Sequence, residues 1–178
     1  MRPEPNRKPV RPLDEEGLER LALFYAGRFA TTRAKLAAYL SRKVRERGWA
    51  GSGPAPVERL VARFVELGYV DDRAFASAKA AALTRRGYGM RRVDQALRAA
   101  GIAEEDAGPA REESEAVAHK AALRFAERKR IGPYAAEAPD RLARQKAAAA
   151  MLRAGHGIDL VRKILDASPG DVPDLDLG

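Results

Sequence analysis

Four arginines fall within eight residues in the segment Arg85-Arg86-Gly87-Tyr88-Gly89-Met90-Arg91-Arg92. A guanidinium is a planar fork of donors that suits bidentate contact with phosphate or carboxylate. Gly87 and Gly89 let a partner approach the backbone closely, and Tyr88 offers a ring for stacking. The spacing predicts a helix beginning near Met90, whose first N–H groups point toward this loop and favour an anion. Arg33 and Lys35 open an earlier predicted helix in a similar way. The chemistry these residues suit is the binding of an anionic surface.

Other segments suggest structure rather than chemistry. In Gly68-Tyr69-Val70-Asp71-Asp72-Arg73-Ala74-Phe75, Gly68 reads as a helix stop and Tyr69 as a packing ring. Asp71 and Asp72 have no second carboxylate at a spacing suited to metal or acid–base work, and Asp72 reads as a helix cap. Gly51-Ser52-Gly53 lacks the lysine of a phosphate loop. The chain has no cysteine and two histidines, His119 and His156. Disulfides, thiolate catalysis and Cys-ligated zinc are excluded, and His156 reads as a core-edge residue. Trp49 either anchors its loop or meets a partner. No nucleophile, base and oxyanion site come together. The expectation is a binding protein, not an enzyme, with no cofactor and no metal.

The charge agrees with that expectation. The 178 residues hold 33 Lys+Arg against 25 Asp+Glu, a net of +8. Residues 1–100 hold 21 against 11, and the remainder 12 against 14. The basic half calls for a polyanionic partner, nucleic acid or an acidic protein surface. Apolar residues make up 46%, enough for hydrophobic cores. There is no apolar run long enough for a membrane span and no signal-peptide pattern at the start, so a cytoplasmic location is expected.

The elements that must position the arginines are helices. Leu18, Leu21, Ala22, Tyr25 and Phe29 recur at helical spacing. Thr31 or Thr32 then caps a second helix on Leu36, Tyr39, Leu40 and Val44. A Gly/Pro-rich loop follows at 48–56. The third helix carries Val57, Leu60, Val61, Phe64 and Val65. The fourth is expected to bury Phe75, Ala78, Ala82 and Leu83, and the fifth Val93, Ala96, Leu97 and Ala100, stopping at Gly101. A short sixth should end at Gly108-Pro109, with a long seventh over 112–130, an eighth near 139–154 and a ninth near 158–167. No segment alternates like a strand. The fold class is all-α.

The pattern repeats. Leu97-Arg98-Ala99-Ala100-Gly101-Ile102 matches Met151-Leu152-Arg153-Ala154-Gly155-His156, and a looser counterpart begins at Thr32. The organisation expected is three three-helix units at 14–70, 71–110 and 111–168, in an elongated, curved array. A flexible tail precedes them at 1–13, and a second tail follows at 169–178.

The blocks at 68–76 and 85–93, with Leu97 and Gly101-Ile102, resemble the RecX regulatory proteins in order and spacing. The resemblance implies a non-catalytic monomer that binds the RecA filament on single-stranded DNA. It would lie in the groove across protomers and inhibit recombinase and co-protease activity. The basic first 100 residues, without a paired recognition-helix pattern, separately predict weak, non-specific, salt-sensitive binding to free DNA. The residues alone also allow a helix-turn-helix transcription or nucleoid protein, with the helix at 90–100 in the major groove and Asp94 and Gln95 beside Arg91 and Arg92.

Overall fold

A computed structural model describes residues 11–174. Of the tails expected at 1–13 and 169–178, residues 1–10 and 175–178 lie outside the described residues. Within them the fold is all-α, with helices α1 (Glu15–Arg28), α2 (Arg33–Arg47), α3 (Val57–Glu66), α4 (Asp72–Arg85), α5 (Met90–Ala99), α6 (Glu104–Ala116), α7 (Ala118–Lys129), α8 (Arg141–Arg153) and α9 (Ile158–Asp166). A single 3-10 turn, Gly132–Tyr134, lies between α7 and α8. No described helix is long and apolar enough to cross a membrane.

The helix ends follow from local chemistry. Asp14 Oδ1 accepts from Gly17 N at 2.8 Å, Thr32 Oγ1 from Lys35 N at 3.2 Å and Asp140 Oδ1 from Ala143 N at 2.6 Å. Each satisfies an N–H that the helix itself leaves unbonded. Helices α3, α4, α5 and α8 all end alike, at Gly68, Gly87, Gly101 and Gly155. Each glycine N–H bonds the carbonyl three residues back. The next N–H reaches five back: Tyr69 to Phe64, Tyr88 to Leu83, Ile102 to Leu97 and His156 to Met151, at 2.9–3.2 Å. This double closure needs a left-handed residue and turns the following side chain onto its own helix. The Tyr69 ring accordingly lies 5.3 Å from Phe64, although Tyr69 is 53% exposed.

The chain divides into two compact units, Met1–Asp72 and Arg73–Gly178. The first holds one core, built from Leu18, Leu36, Leu40, Val61 and Phe64 with Leu13 and Val70. The second holds two: Ala76, Ala80, Leu83, Val93, Leu97 and Ile102 form one, and Phe125, Ile131, Met151, Val161 and Ile164 form the other. Tyr88 packs against both cores of the second unit.

Four expectations need correction. Leu13, placed in the flexible tail, is 1% exposed. Its N–H bonds Gly48 O at 2.9 Å and its carbonyl accepts from Ala50 N at 2.8 Å, an isolated parallel bridge beside Trp49. Trp49 is half-buried against the first core and so anchors its loop. Phe29, placed on the core stripe, lies past the end of α1 and is 48% exposed.

In α4 the buried positions after Asp72 are Ala76, Ala80, Leu83 and Thr84, while Ala78 is exposed and Phe75 and Ala82 are half-buried. The large Phe75 ring misled the register. Helix α6 runs through Pro109 to Ala116, and the break falls at Val117. A proline forfeits one bond in a helix interior. Here Ala107, Ala110 and Ser114 give the helix a continuous buried face, and a stripe of Ala and Ser carries little hydropathy signal.

Helix α7 closes with the same double bonding, Arg130 N to Glu127 O and Ile131 N to Ala126 O. Here the left-handed residue is Arg130, at φ 53°, the one non-glycine residue with positive φ among those described. Its side chain is exposed. Left-handed backbone is unfavourable for any residue with a Cβ. Arg130→Gly should therefore stabilise the fold by roughly 0.5–1 kcal/mol, raising Tm by about 1–4 °C in a chain of this size. A thermal melt of the two proteins checks this.

Candidate functional site

The arginine segment is a corner between α4 and α5. Arg85 and Arg86 close α4, Gly87 turns the chain at φ 76°, and Gly89 stands just before α5. Arg85, Arg86, Arg91 and Arg92 are exposed, while Gly87, Gly89 and Val93 are buried. The backbone faces inward and the guanidinium groups face water. Arg86 lies over the Tyr88 ring, 5.4 Å from its centroid, and Arg92 donates to Gln95 Oε1 at 2.8 Å.

What holds this corner is a second corner, the Gly155-His156 turn after α8. Gly89 N donates to Ala154 O at 2.9 Å, and Arg91 N to Gly155 O at 3.2 Å. A Cβ on Gly89 would stand 2.4 Å from the Gly155 carbonyl, and one on Gly155 would stand 2.5 Å from Arg92 N. The two backbones therefore touch where only glycine fits. Arg128 of α7 adds a clasp, donating to Arg86 O at 2.6 Å. One expectation changes as a result. The start of α5 is not an open anion site, because carbonyls of the 154–155 turn take the Gly89 and Arg91 N–H groups and Gly89 O takes that of Arg92.

His156 sits inside this junction, 1% exposed. Its Nε2 faces Gly87 O at 3.1 Å, and its ring meets Phe125 edge-on, 5.5 Å between centroids. The carbonyl can only accept, so Nε2 carries the proton. Nδ1 is buried without a partner among the described residues. Burial pushes the imidazole below its ordinary value, against a smaller opposing effect of the Gly87 carbonyl.

Arg85 also lines a cleft of about 270 Å³ with Ala81 and Thr84 of α4, Glu113 and Ser114 of α6, Val117, and Lys120 and Arg124 of α7. Lys120 and Arg124 are exposed and extend the basic character of the corner. They lie far along the sequence in its acidic half, so composition did not single them out. Arg33 and Lys35 belong to the first unit, at the start of α2. The guanidinium of Arg33 lies 3.9 Å from Asp72 Oδ2, and its N–H donates to Asp72 Oδ1 at 2.9 Å. Asp72 is 4% exposed, so one of the paired acids serves as a buried acceptor for the first N–H of α2. Asp71 is exposed, Phe75 packs against the second core, and Gly68, Gly87 and Gly101 close helices.

Two outcomes follow. Gly89→Ala should destabilise the second unit by roughly 2 kcal/mol or more, because the added methyl meets backbone that cannot yield. A urea titration compared with Gly53→Ala, whose Cβ meets nothing within 4 Å, isolates the effect. Stability should also fall on acidification through His156. An unfolded histidine titrates near 6.5, and the folded one lower. Below about pH 6.5 the unfolded chain takes up a proton that the folded chain resists, so stability is lost downward from there and is flat above. Melts between about pH 7.5 and 5.5 should show this, and His156→Gln should flatten the profile.

Comparison with known proteins agrees with the geometry. A family model described as "RecX, second three-helix domain" matches residues 71–110, the stretch that contains the arginine corner. A curated regulatory protein RecX from Myxococcus xanthus is 34% identical over 173 residues, covering 92% of each chain. Another from Agrobacterium fabrum is 28% identical over 158 residues, covering 86% of this chain and 84% of its own. The crystal structure of RecX from Lactobacillus salivarius superposes with a TM-score of 0.66 at 17% identity, over 85% of this chain and 96% of that one. A second RecX crystal structure gives 0.60 at 21% identity, over 86% and 78%. These two similarities speak for the fold, and the Myxococcus relative speaks for the family. With its helical repeats, its glycine corners and a relative matched along nearly its whole length, the chain belongs to the RecX family of regulatory proteins.

Proposed function

We propose that this chain regulates RecA by binding the filament that RecA forms on single-stranded DNA, and that it inhibits recombinase and co-protease activity. It would lie in the filament groove across neighbouring protomers, as a monomer in the cytoplasm, using three-helix units at 14–70, 71–110 and 111–168. The observation that carries the reading is the arginine corner. Four guanidinium groups stand in water on a backbone fixed by the Gly89–Gly155 contact, so an acidic surface or a phosphate would meet a preformed array. Preorganised groups lose less freedom on binding than flexible ones. Tandem units suit a polymeric target, because a second contact becomes intramolecular once the first has formed.

One observation weighs against the helix-turn-helix alternative: Asp94, which would face the bases there, is engaged within the protein, its Oδ1 accepting from Arg111 Nε at 2.6 Å. Arg111 sits between Asp94 and Glu104, and the two carboxylates hold it firmly charged.

The test is the variant with Arg85, Arg86, Arg91 and Arg92 all changed to alanine. Exposed arginines change stability little, about 0.5 kcal/mol each or less, so the variant should melt within a few degrees of wild type. Its inhibition of RecA ATPase on single-stranded DNA should weaken at least about tenfold, because truncating charge-assisted contacts at an interface is costly. Wild-type protein without effect on ATPase, strand exchange or repressor cleavage by its cognate RecA would overturn the reading. A well-folded variant that inhibits as wild type does would remove the corner from the contact surface.

A further inference from the structure

The first unit carries a second surface that the arginine corner does not account for. Residues 20–47 hold eight Lys/Arg and one acid, Glu46, so this short stretch carries a net of +7 in a chain whose total is +8. The same stretch holds four aromatic rings, and two of them stand in water: Phe24 is 57% exposed and Phe29 48%. Their neighbour Leu23 is 50% exposed. Large apolar side chains standing together in water mark an interaction surface.

The rings and cations alternate. The Arg28 guanidinium lies 5.9 Å from the centroids of both Phe24 and Phe29. Phe29 meets Tyr25 at 5.4 Å, and Tyr25 stacks on Tyr39 at 4.2 Å with planes 16° apart. Arg42 and Lys43 lie 5.6 and 5.9 Å from the Tyr39 ring. The result is a ribbon of Phe24, Arg28, Phe29, Tyr25 and Tyr39 that ends on two cations. Arg42 and Lys43 share the single carboxylate of Glu46, which leaves excess positive charge at that end. The acids of α1 lie at its other end, where Glu15 and Glu19 meet Arg59 and Arg63.

We propose that this ribbon is a stacking platform for single-stranded nucleic acid. Unpaired bases would lie on the half-exposed faces of Phe24 and Phe29, Arg28 would meet the phosphate between them, and Arg42 and Lys43 would meet phosphates farther along the strand, beyond Tyr39. Single-strand recognition requires both a π-face for each base and cations at backbone spacing. A purely apolar partner would leave the excess charge unpaired, and a duplex would keep its bases out of reach of the rings. The surface lies within the first unit alone and does not depend on the reading of the arginine corner.

The experiment is fluorescence anisotropy of the full chain with three labelled oligonucleotides of about 20 units: oligothymidine, an abasic strand of the same charge, and a duplex. Wild type should bind oligothymidine at least about fivefold more tightly than the abasic strand. A Phe24→Leu/Phe29→Leu variant keeps apolar bulk without a ring. It should lose that same factor on oligothymidine and bind the abasic strand and the duplex as wild type does. Equal binding of oligothymidine and the abasic strand by wild type would overturn the proposal without recourse to any variant. So would a folded double variant that binds oligothymidine unchanged, which would point to a protein partner for the exposed rings.

Discussion

One contact governs the second unit: the backbones of Gly89 and Gly155 pressed together. Neither residue can carry a Cβ there, and hydrogen bonds from Gly89 and Arg91 to the 154–155 carbonyls hold the turns in register. From this follow the direction of α5, the burial of His156 and the outward projection of four arginines. The corner is also the place where the second and third cores meet, through Tyr88. The exposed arginines thus stand on backbone held by a junction on its reverse side.

The same logic explains why the repeats look unequal in sequence while their ends are alike. The left-handed turn after α3, α4, α5 and α8 favours glycine, and the residue after it folds back over the helix. Tyr69, Tyr88, Ile102 and His156 fill that place with different chemistry. In the last case the cavity is closed to solvent, so a titratable ring takes on the role of an apolar one. Its cost is an unpartnered Nδ1 and a sensitivity to acid.

Much of this was legible in the residues. Helices faced with Val, Leu, Ile and Phe, such as α3 and α9, show their periodicity plainly, and the stops at Gly68, Gly87 and Gly101 fell where expected. Helices faced with alanine did not. In α4 one ring outweighed the small residues that are buried, and in α6 a Gly-Pro pair hid a continuous Ala/Ser face. The arginine corner was visible because its charges are adjacent in sequence. Arg128, Lys120 and Arg124 were not, because packing alone brings α7 beside that corner. The resemblance to RecX identified the right block without the Gly89–Gly155 contact, which is a pairing across distant sequence. Phe29 shares the helical period of the α1 core stripe, which is why its spacing points to the core. Only the end of the helix at Arg28 turns Phe29 outward.

The bridge between Leu13 and Trp49 has a spectroscopic consequence. Trp49 is the only tryptophan in the chain, and it is half-buried against the core of the first unit. Indole emission therefore reports on that unit alone, while circular dichroism sums the helices of both. Followed side by side through a denaturant titration, the two signals separate the unfolding of one unit from that of the other without a label. Removal of the chain through Leu13 would take a core side chain away with the bridge, so a red shift of the indole would accompany a loss of stability in that unit.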